Sequence, residues 1–354
     1  MNKSVKSTID HRPSTIDHRP SHDYVCVAGY GWSGSSAVVD ILREFKSCYT
    51  PEVEFRAIKD PYGLIYLYYA VAVTGSFDIA AKDFIKYMSF LNQINSRFTM
   101  GLSYKSFFGE NFEHATKDFI ASLVSFEYYN NWWMFDFRMD KTKWLFRRIV
   151  NKILNKLHLY RFCFPSEEKS YFTSVNEHEF LESARKYIDD IFTPLALHNN
   201  ASHIVLDQAV SSINFRNELN FFRKAKMIVV DRDPRDNYAD LIQINYSIGK
   251  EFAKSHDTSK YIEMHRASRR NRADIMNDPD VLLLKFEDLV YHYEDSLKKI
   301  ADFIGLNLED HVMKRKYFNP DVSVKNVGIW HELITEAEAD AIVSELEDYC
   351  YNRD

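Results

Sequence analysis

Apolar residues fall into short uninterrupted runs near both ends of the chain and recur at helical spacing between them. The first run, Tyr24 to Ala28, predicts a strand. It ends in Gly29, Gly31 and Gly34, after which Ala37, Val38, Ile41 and Leu42 recur as one face of a helix. A second short strand is predicted at Cys48 to Thr50, and the charged stretch Pro51 to Gly63 follows it. From His203 the runs His203 to Asp207, Lys226 to Asp231 and Val281 to Phe286 predict three more strands, with helical patterns between them. Continuous apolar runs of this kind belong to strands buried on both faces, so the pattern predicts an α/β fold with a central parallel sheet.

Between Gly63 and about Asn200 the strand signal nearly vanishes. Aromatic-rich helical patterns there predict a large helical insertion over about 64–200. Within it, Lys141 to Arg161 reads as a basic amphipathic helix: Leu145, Phe146, Ile149, Val150, Ile153, Leu154 and Leu157 recur beside Lys143, Arg147, Arg148, Lys152 and Lys156. The expectation is a core-facing helix with a solvated basic side, although the same pattern suits an anionic glycan or peripheral contact with a membrane. At the N-terminus, Ser7 to Pro13 is repeated at Ser14 to Pro20. Two copies cannot build a solenoid, so 1–22 reads as a disordered tail ahead of a single domain over 23–354. The longest apolar stretch, Leu64 to Val73, is too short to span a bilayer, which leads to the expectation of a soluble protein without a transmembrane segment.

Composition narrows the partners. A chain of 354 residues with 45% hydrophobic content can bury a full core, and a net charge of −6 argues against nucleic acid as the main partner. Cys26, Cys48, Cys163 and Cys350 are scattered and form no CxxC pair, so neither a zinc site nor a disulfide framework is expected and a reducing, cytoplasmic setting fits. Aromatic content of 15% serves either a large core or a groove for sugars or bases.

The glycine-rich turn after the first strand is built as an anion cradle. Glycines let backbone approach a phosphate, and the free N–H groups of the following helix, with the hydroxyls of Ser33, Ser35 and Ser36, face it as donors. The spacing Gly29-x4-Gly34 matches the Walker A pattern, but Ser35 stands where a nucleotide triphosphatase has lysine. Glu52, Glu54, Arg56, Lys59 and Asp60 lie in the loop after the second strand, at the ligand face of such a sheet, where a carboxylate can take a proton from a substrate. Asp207, Asp231 and Glu287 fall at the ends of later strands. In Arg232-Asp-Pro-Arg-Asp236, helix-start chemistry accounts for Asp233, Pro234 and Asp236. It does not account for Arg232, which is better placed to hold a phosphate.

Taken in order, GYGWSGSS, MIVVDRDPRD and LLLKFEDLV resemble the PAPS-dependent sulfotransferases, where PAPS is 3′-phosphoadenosine 5′-phosphosulfate. The closing segment Ser323 to Trp330 resembles that family's cofactor-covering loop. The resemblance covers roughly 24–60 and 200–332. It implies a P-loop-like three-layer fold and PAPS as cofactor, with no metal, and transfer of its sulfuryl group to an acceptor hydroxyl. It also implies that Tyr30, Gly31, Trp32, Ser33, Gly34, Ser35 and Ser36 grip the 5′-phosphosulfate, that Arg232 holds the 3′-phosphate, and that Lys325 and Trp330 cover the nucleotide. Glu54, then Glu52, is the expected base, by analogy with glycan-acting members; His203 and Asp207 come next. Arg56 and Asp207 are candidates for acceptor binding, and a polysaccharide or glycolipid is the expected acceptor.

The chain departs from the family at two positions. Trp32 stands where a Lys or Arg usually stabilises the bridging oxygen, leaving Arg56, Lys59, Lys105 or Lys325 to supply positive charge. Asp240 stands where a serine usually joins the 3′-phosphate site. Two other readings stay open: a P-loop kinase or nucleotide hydrolase with Asp231 on magnesium, and a non-catalytic nucleotide- or glycan-binding protein on the same scaffold.

Overall fold

The computed structural model describes residues 22–93, 103–130, 132–163, 168–243 and 256–352. The tandem repeat lies outside them. His22, assigned to the tail by the sequence pattern, is buried edge-on against Tyr24 with ring centroids 4.9 Å apart.

Five strands form the central sheet: β1 (Asp23–Gly29), β2 (Cys48–Tyr49), β5 (His203–Asp207), β6 (Ala225–Asp231) and β7 (Val281–Lys285), in the order β2-β5-β1-β6-β7. Every pairing is parallel. Successive side chains alternate between two cores, as the twofold period of a strand requires. Tyr24, Cys26 and Ala28 join Ile204, Leu206, Met227 and Val229 on one face, while Val25 and Val27 join Val205, Ile228 and Val230 on the other. Both faces are covered, which explains the unbroken apolar runs.

The second face is closed by the helix Ser35–Arg43, through Val38, Ile41 and Leu42, and by the helix Tyr293–Ile304, through Leu297, Ile300 and Ile304. The first face carries the insertion. Its helices Phe77–Gln93, Asn111–Leu123 and Glu177–Asn199 place Phe84, Phe119, Tyr187 and Phe192 in the same core as Tyr24, with Phe119 stacked on Tyr187 at 4.8 Å. A capping box at Asn176 and Glu179 starts the longest of these helices.

The insertion departs from expectation in two ways. It contains a two-stranded antiparallel ribbon, β3 (Phe126–Asn130) with β4 (Glu168–Phe172), where no strand is predicted. Most of β3 is exposed on both faces, so its sequence shows none of the alternation that betrays a half-buried strand. A helix forms in the stretch predicted over Lys141 to Arg161 but ends at Lys156; it is started by Asp140, which accepts from the N–H of Thr142 at 2.9 Å, and it buries no residue. The expectation that its apolar side faces the core is incorrect.

Candidate functional site

The loop between β1 and the helix Ser35–Arg43 lies at the C-terminal edge of the sheet, where the parallel strands open toward a ligand. Gly31 and Trp32 adopt left-handed backbone conformations (φ 77° and 49°), and so does Gly34 (φ 81°), the residue from which the helix starts. At Gly34 an added Cβ would overlap the Phe286 ring, so this position needs glycine for space as well as for conformation. Side-chain bonds hold the loop: the N–H of Tyr30 donates to Ser33 Oγ at 3.1 Å, and Asn237 Nδ2 donates to the carbonyl of Gly31 at 2.7 Å.

The three loop serines therefore differ. Ser33 is buried and braces the loop, and Ser35 Oγ accepts from Gln208 Nε2 at 3.1 Å. Ser36 is exposed and lines a pocket of about 370 Å³ together with Trp32, Gly34, Arg232, Asp240 and Phe286. Tyr30 is turned elsewhere, its ring under the Arg269 guanidinium at 4.3 Å.

Arg232 lies at the end of β6 with its side chain 4% exposed. One terminal nitrogen, Nη1, donates to the carbonyl of Trp32 at 3.2 Å and to the Asp240 carboxylate, and the other, Nη2, donates to the carbonyl of Asn326. Its Nε is buried without a partner. One guanidinium thus ties the phosphate-type loop to the C-terminal segment at the pocket wall. Asp240, eight positions on, does not turn away: it pairs with Arg232, the cation that the sequence resemblance assigns to the 3′-phosphate.

The C-terminal segment is anchored by the helix Pro234–Gln243, where Asp233 Oδ1 accepts from the N–H of Arg235 at 2.8 Å as a cap. Asp236 does more than favour the helix start, since it accepts from the N–H groups of Gly328 at 2.7 Å and Trp330 at 3.1 Å. Burial pushes its carboxyl up, while those two N–H groups favour the charged form. Trp330 stacks on His331 and lies under Arg235 at 4.6 Å, and Lys325 is exposed beside Asn326, so neither side chain forms the pocket wall.

Asp231, the candidate magnesium acid, is fully buried and pairs with Arg269 at 2.7 Å and Lys285 at 3.4 Å. Burial works to raise its carboxyl, yet these two cations hold it below the usual range. A carboxylate so occupied has no free face for a metal.

On the other side of the loop, Lys59 Nζ donates to Gln208 Oε1 at 2.7 Å, and Gln208 in turn donates to Ser35. Gln208 holds this bridging position in a left-handed conformation (φ 55°) directly after β5, with its N–H on the carbonyl of Val27 at 2.9 Å. Of the four candidate cations, Lys59 is the one carried to the start of the loop helix. Lys105 pairs with Glu110 at 2.6 Å on the surface, and Arg56 donates to Glu54 at 2.9 Å and to both oxygens of Asp60 at 2.7 and 2.8 Å. Burial, reinforced by the charge of Arg56, pulls the Lys59 ammonium below its ordinary range.

Glu54 and Asp207 are electrostatic neighbours beside Lys59, and the N–H of Phe55 donates to the carbonyl of Asp207 at 3.0 Å. Burial first, then the charge of Glu54, raises the Asp207 carboxyl to about 6, and its Oδ1 is buried without a partner. Glu52 is exposed near Tyr49, and His203 Nε2 lies 3.2 Å from the carbonyl of Ile304 at the opposite edge of the sheet, so the structure separates both from this group. Gln208, Asn237 and the carbonyl of Asn326 were invisible as site residues, because each acts through a partner distant in sequence.

Residues 132–310, half of the chain, match the model of the sulfotransferase family; the match includes β5 to β7 and Arg232 and stops short of the glycine-rich loop. No curated protein matches the chain significantly. Among solved structures, the sulfotransferase STF9 from Mycobacterium avium aligns at 12% identity over 94% of this chain and 78% of its own, with a TM-score of 0.40. The sulfotransferase domain of the Synechococcus PCC 7002 olefin synthase aligns at 13% identity over 94% and 95%, with a TM-score of 0.44. Retinol dehydratase, in complex with androsterone and inactive cofactor PAP, aligns at 15% identity over 94% and 81%, with a TM-score of 0.34. With half of its length matched by the family model, and that match spanning β6 and the Arg232 that follows it, the chain belongs to the sulfotransferase family.

Proposed function

We propose that the protein moves the sulfuryl group of PAPS in line to a hydroxyl of a carbohydrate acceptor, a polysaccharide or a glycolipid. The observation that carries this reading is the convergence, on one pocket, of the glycine-rich loop, Arg232 at the end of β6 and the C-terminal segment through Asn326. The donors there fit a phosphorylated nucleotide: Ser36 and the free N–H groups of the loop helix suit the 5′ end, and the unpartnered Arg232 Nε suits an anion at the 3′ end. Two carboxylates that line the pocket, Asp240 and Asp40, oppose it. PAPS, when bound, supplies the activated sulfuryl group.

The remaining roles fall to side chains of this chain. Lys59, fixed through Gln208 to Ser35, supplies the positive charge that Trp32 cannot, stabilising negative charge as it develops on the departing phosphate oxygen. Glu54, half-exposed at the same strand ends, takes the acceptor proton as the hydroxyl attacks sulfur. Asp207, more buried, and Arg56, which orients Glu54, frame the acceptor side. The exposed aromatic groove of Tyr62, Tyr66, Tyr87 and Phe90, joined to this group by the bond from Tyr87 Oη to Asp60 at 2.7 Å, offers stacking faces to a sugar. Four free cysteines support a reducing, cytoplasmic setting.

The test is a thermal-shift titration with 3′,5′-ADP, 5′-AMP, and ATP with magnesium. At a hundred times its dissociation constant a ligand adds about 2.7 kcal/mol to stability. Selective stabilisation by 3′,5′-ADP is expected, followed by loss of turnover with PAPS in Glu54→Gln but not in Glu52→Gln. A response to ATP with magnesium alone overturns the reading. The Arg232–Asp240 pair favours one second reading, a non-catalytic nucleotide or glycan binder, and nucleotide binding without turnover on any acceptor would support it.

A further inference from the structure

The helix Lys141–Lys156 stands off the core with no buried residue. Leu145, Ile149 and Ile153, four residues apart and therefore on one edge, are 52%, 50% and 53% exposed, and Leu157 continues the line. Water around such an edge is costly, and monomeric proteins seldom leave aliphatic rows of this kind uncovered. Alongside run Lys141, Arg148, Lys152 and Lys156, all exposed. The whole stretch 141–163 holds seven Lys or Arg and no Asp or Glu, on a chain whose net charge is −6. Past the helix end, Tyr160 and Phe162 are exposed aromatics of the kind that settle at a membrane–water interface.

We propose that this helix docks the protein on the surface of an anionic lipid bilayer, with the Leu145–Ile149–Ile153 edge entering the interface and the flanking lysines and Arg148 lying on the head groups. Charge complementarity selects the occupant. A polyanionic glycan would satisfy the basic side but gains nothing from a row of isoleucine and leucine. A second copy of this chain would cover that row but bring seven positive charges against seven. An anionic bilayer meets both needs at once, and it requires only contact in the interface plane. Among the described residues no helix is long and apolar enough to cross a membrane. Docking does not depend on the transfer chemistry proposed above, and its test reads no activity.

Flotation of the purified full-length protein on a density gradient decides the matter, using phosphatidylcholine–phosphatidylglycerol vesicles beside pure phosphatidylcholine. The expected result is flotation with the anionic vesicles at low salt, loss with pure phosphatidylcholine and weakening as salt rises. The double substitution Lys152→Gln, Lys156→Gln should weaken binding about twenty-fivefold, about fivefold per charge removed. The double substitution Ile149→Ser, Ile153→Ser should abolish flotation while circular dichroism and melting temperature stay those of the parent. Parent protein left unbound by anionic vesicles at low salt overturns the proposal, as does undiminished flotation of the serine variant. So does a dimer in solution that the serine variant dissolves while the parent fails to float.

Discussion

Replacing Asp240 by asparagine should move stability and affinity in opposite directions. In the free protein the Asp240 carboxylate, 24% exposed, partners the Arg232 guanidinium, 4% exposed. Asn offers only a neutral acceptor, and a charge-assisted bond at a buried guanidinium contributes about 1.5–3 kcal/mol, so the free variant should unfold about 1–3 kcal/mol more easily. A 3′-phosphate, by contrast, now meets an arginine with no competing carboxylate. A phosphate charge roughly 5 Å from Asp240 is opposed by about 3 kcal/mol at an effective dielectric of about 20, and the partial exposure of Asp240 screens that to about 1–2 kcal/mol. Affinity for 3′,5′-ADP should therefore rise about fivefold to thirtyfold, with 5′-AMP unchanged because it lacks the group in question. Isothermal titration of both nucleotides, with urea unfolding of the free proteins, reads all three quantities. If 3′,5′-ADP binds no tighter to Asp240→Asn, or if 5′-AMP gains equally, Arg232 does not hold a 3′-phosphate and the site assignment fails.

Three further substitutions probe the proposed cation, the loop and a buried carboxyl. Lys59→Met should lower turnover about 10²–10³-fold while 3′,5′-ADP affinity changes little, since the charge is needed only as the leaving oxygen develops its own; equal losses in both would make Lys59 a binding residue. Gly34→Ala should cost about 2–4 kcal/mol in urea unfolding, combining a left-handed backbone with overlap on Phe286, and an unchanged midpoint would refute that packing. Glu218, buried beside the N–H of Ser211 at 2.5 Å, has its carboxyl raised by burial to about 7, so the native state keeps a proton that the unfolded chain releases near its ordinary value of about 4.3. Stability from this group is accordingly lost as pH rises from about 4.3 to about 7, and Glu218→Gln should gain about 1–3 kcal/mol over the parent at about pH 8 but not at about pH 4. Matching pH profiles for the two proteins would contradict this.

The sheet was legible because burial on both faces leaves an unbroken apolar run, and each of β1, β2, β5, β6 and β7 lies within a residue or so of its predicted place. The loop was legible because glycine at 31 and 34 answers a backbone requirement that no other residue meets cheaply. The ribbon of β3 and β4 was not, since exposed strands held together by ladder bonds and by pairs such as Phe126 on Phe172 at 4.7 Å leave no periodic trace. The helix Lys141–Lys156 shows a different limit: its pattern gave the amphipathicity, but a pattern cannot say which side faces the protein. The proposed cation was illegible for a third reason. Arg56, Lys59, Lys105 and Lys325 look alike in sequence, and only Gln208, reached through the parallel pairing of β1 with β5, separates Lys59 from the rest.

Arg232 joins these strands of argument. Its guanidinium holds the carbonyls of Trp32 and Asn326, which belong to the two segments proposed to close on a nucleotide, so its removal would loosen the frame as well as any phosphate contact. Loss of binding in Arg232→Ala therefore says little about what the arginine touches. Asp240 is the informative position because it sits on the same guanidinium without joining either segment. If it is neutralised, the frame keeps its two carbonyl bonds and only the charge facing the ligand changes. That separation also gives Asp240 a consequence of its own. An acidic partner on Arg232 keeps the frame assembled when no nucleotide is present and must be displaced when one arrives, so the free protein should hold its loop and C-terminal segment together and bind 3′-phosphorylated nucleotide more weakly than the same pocket with a neutral residue at position 240.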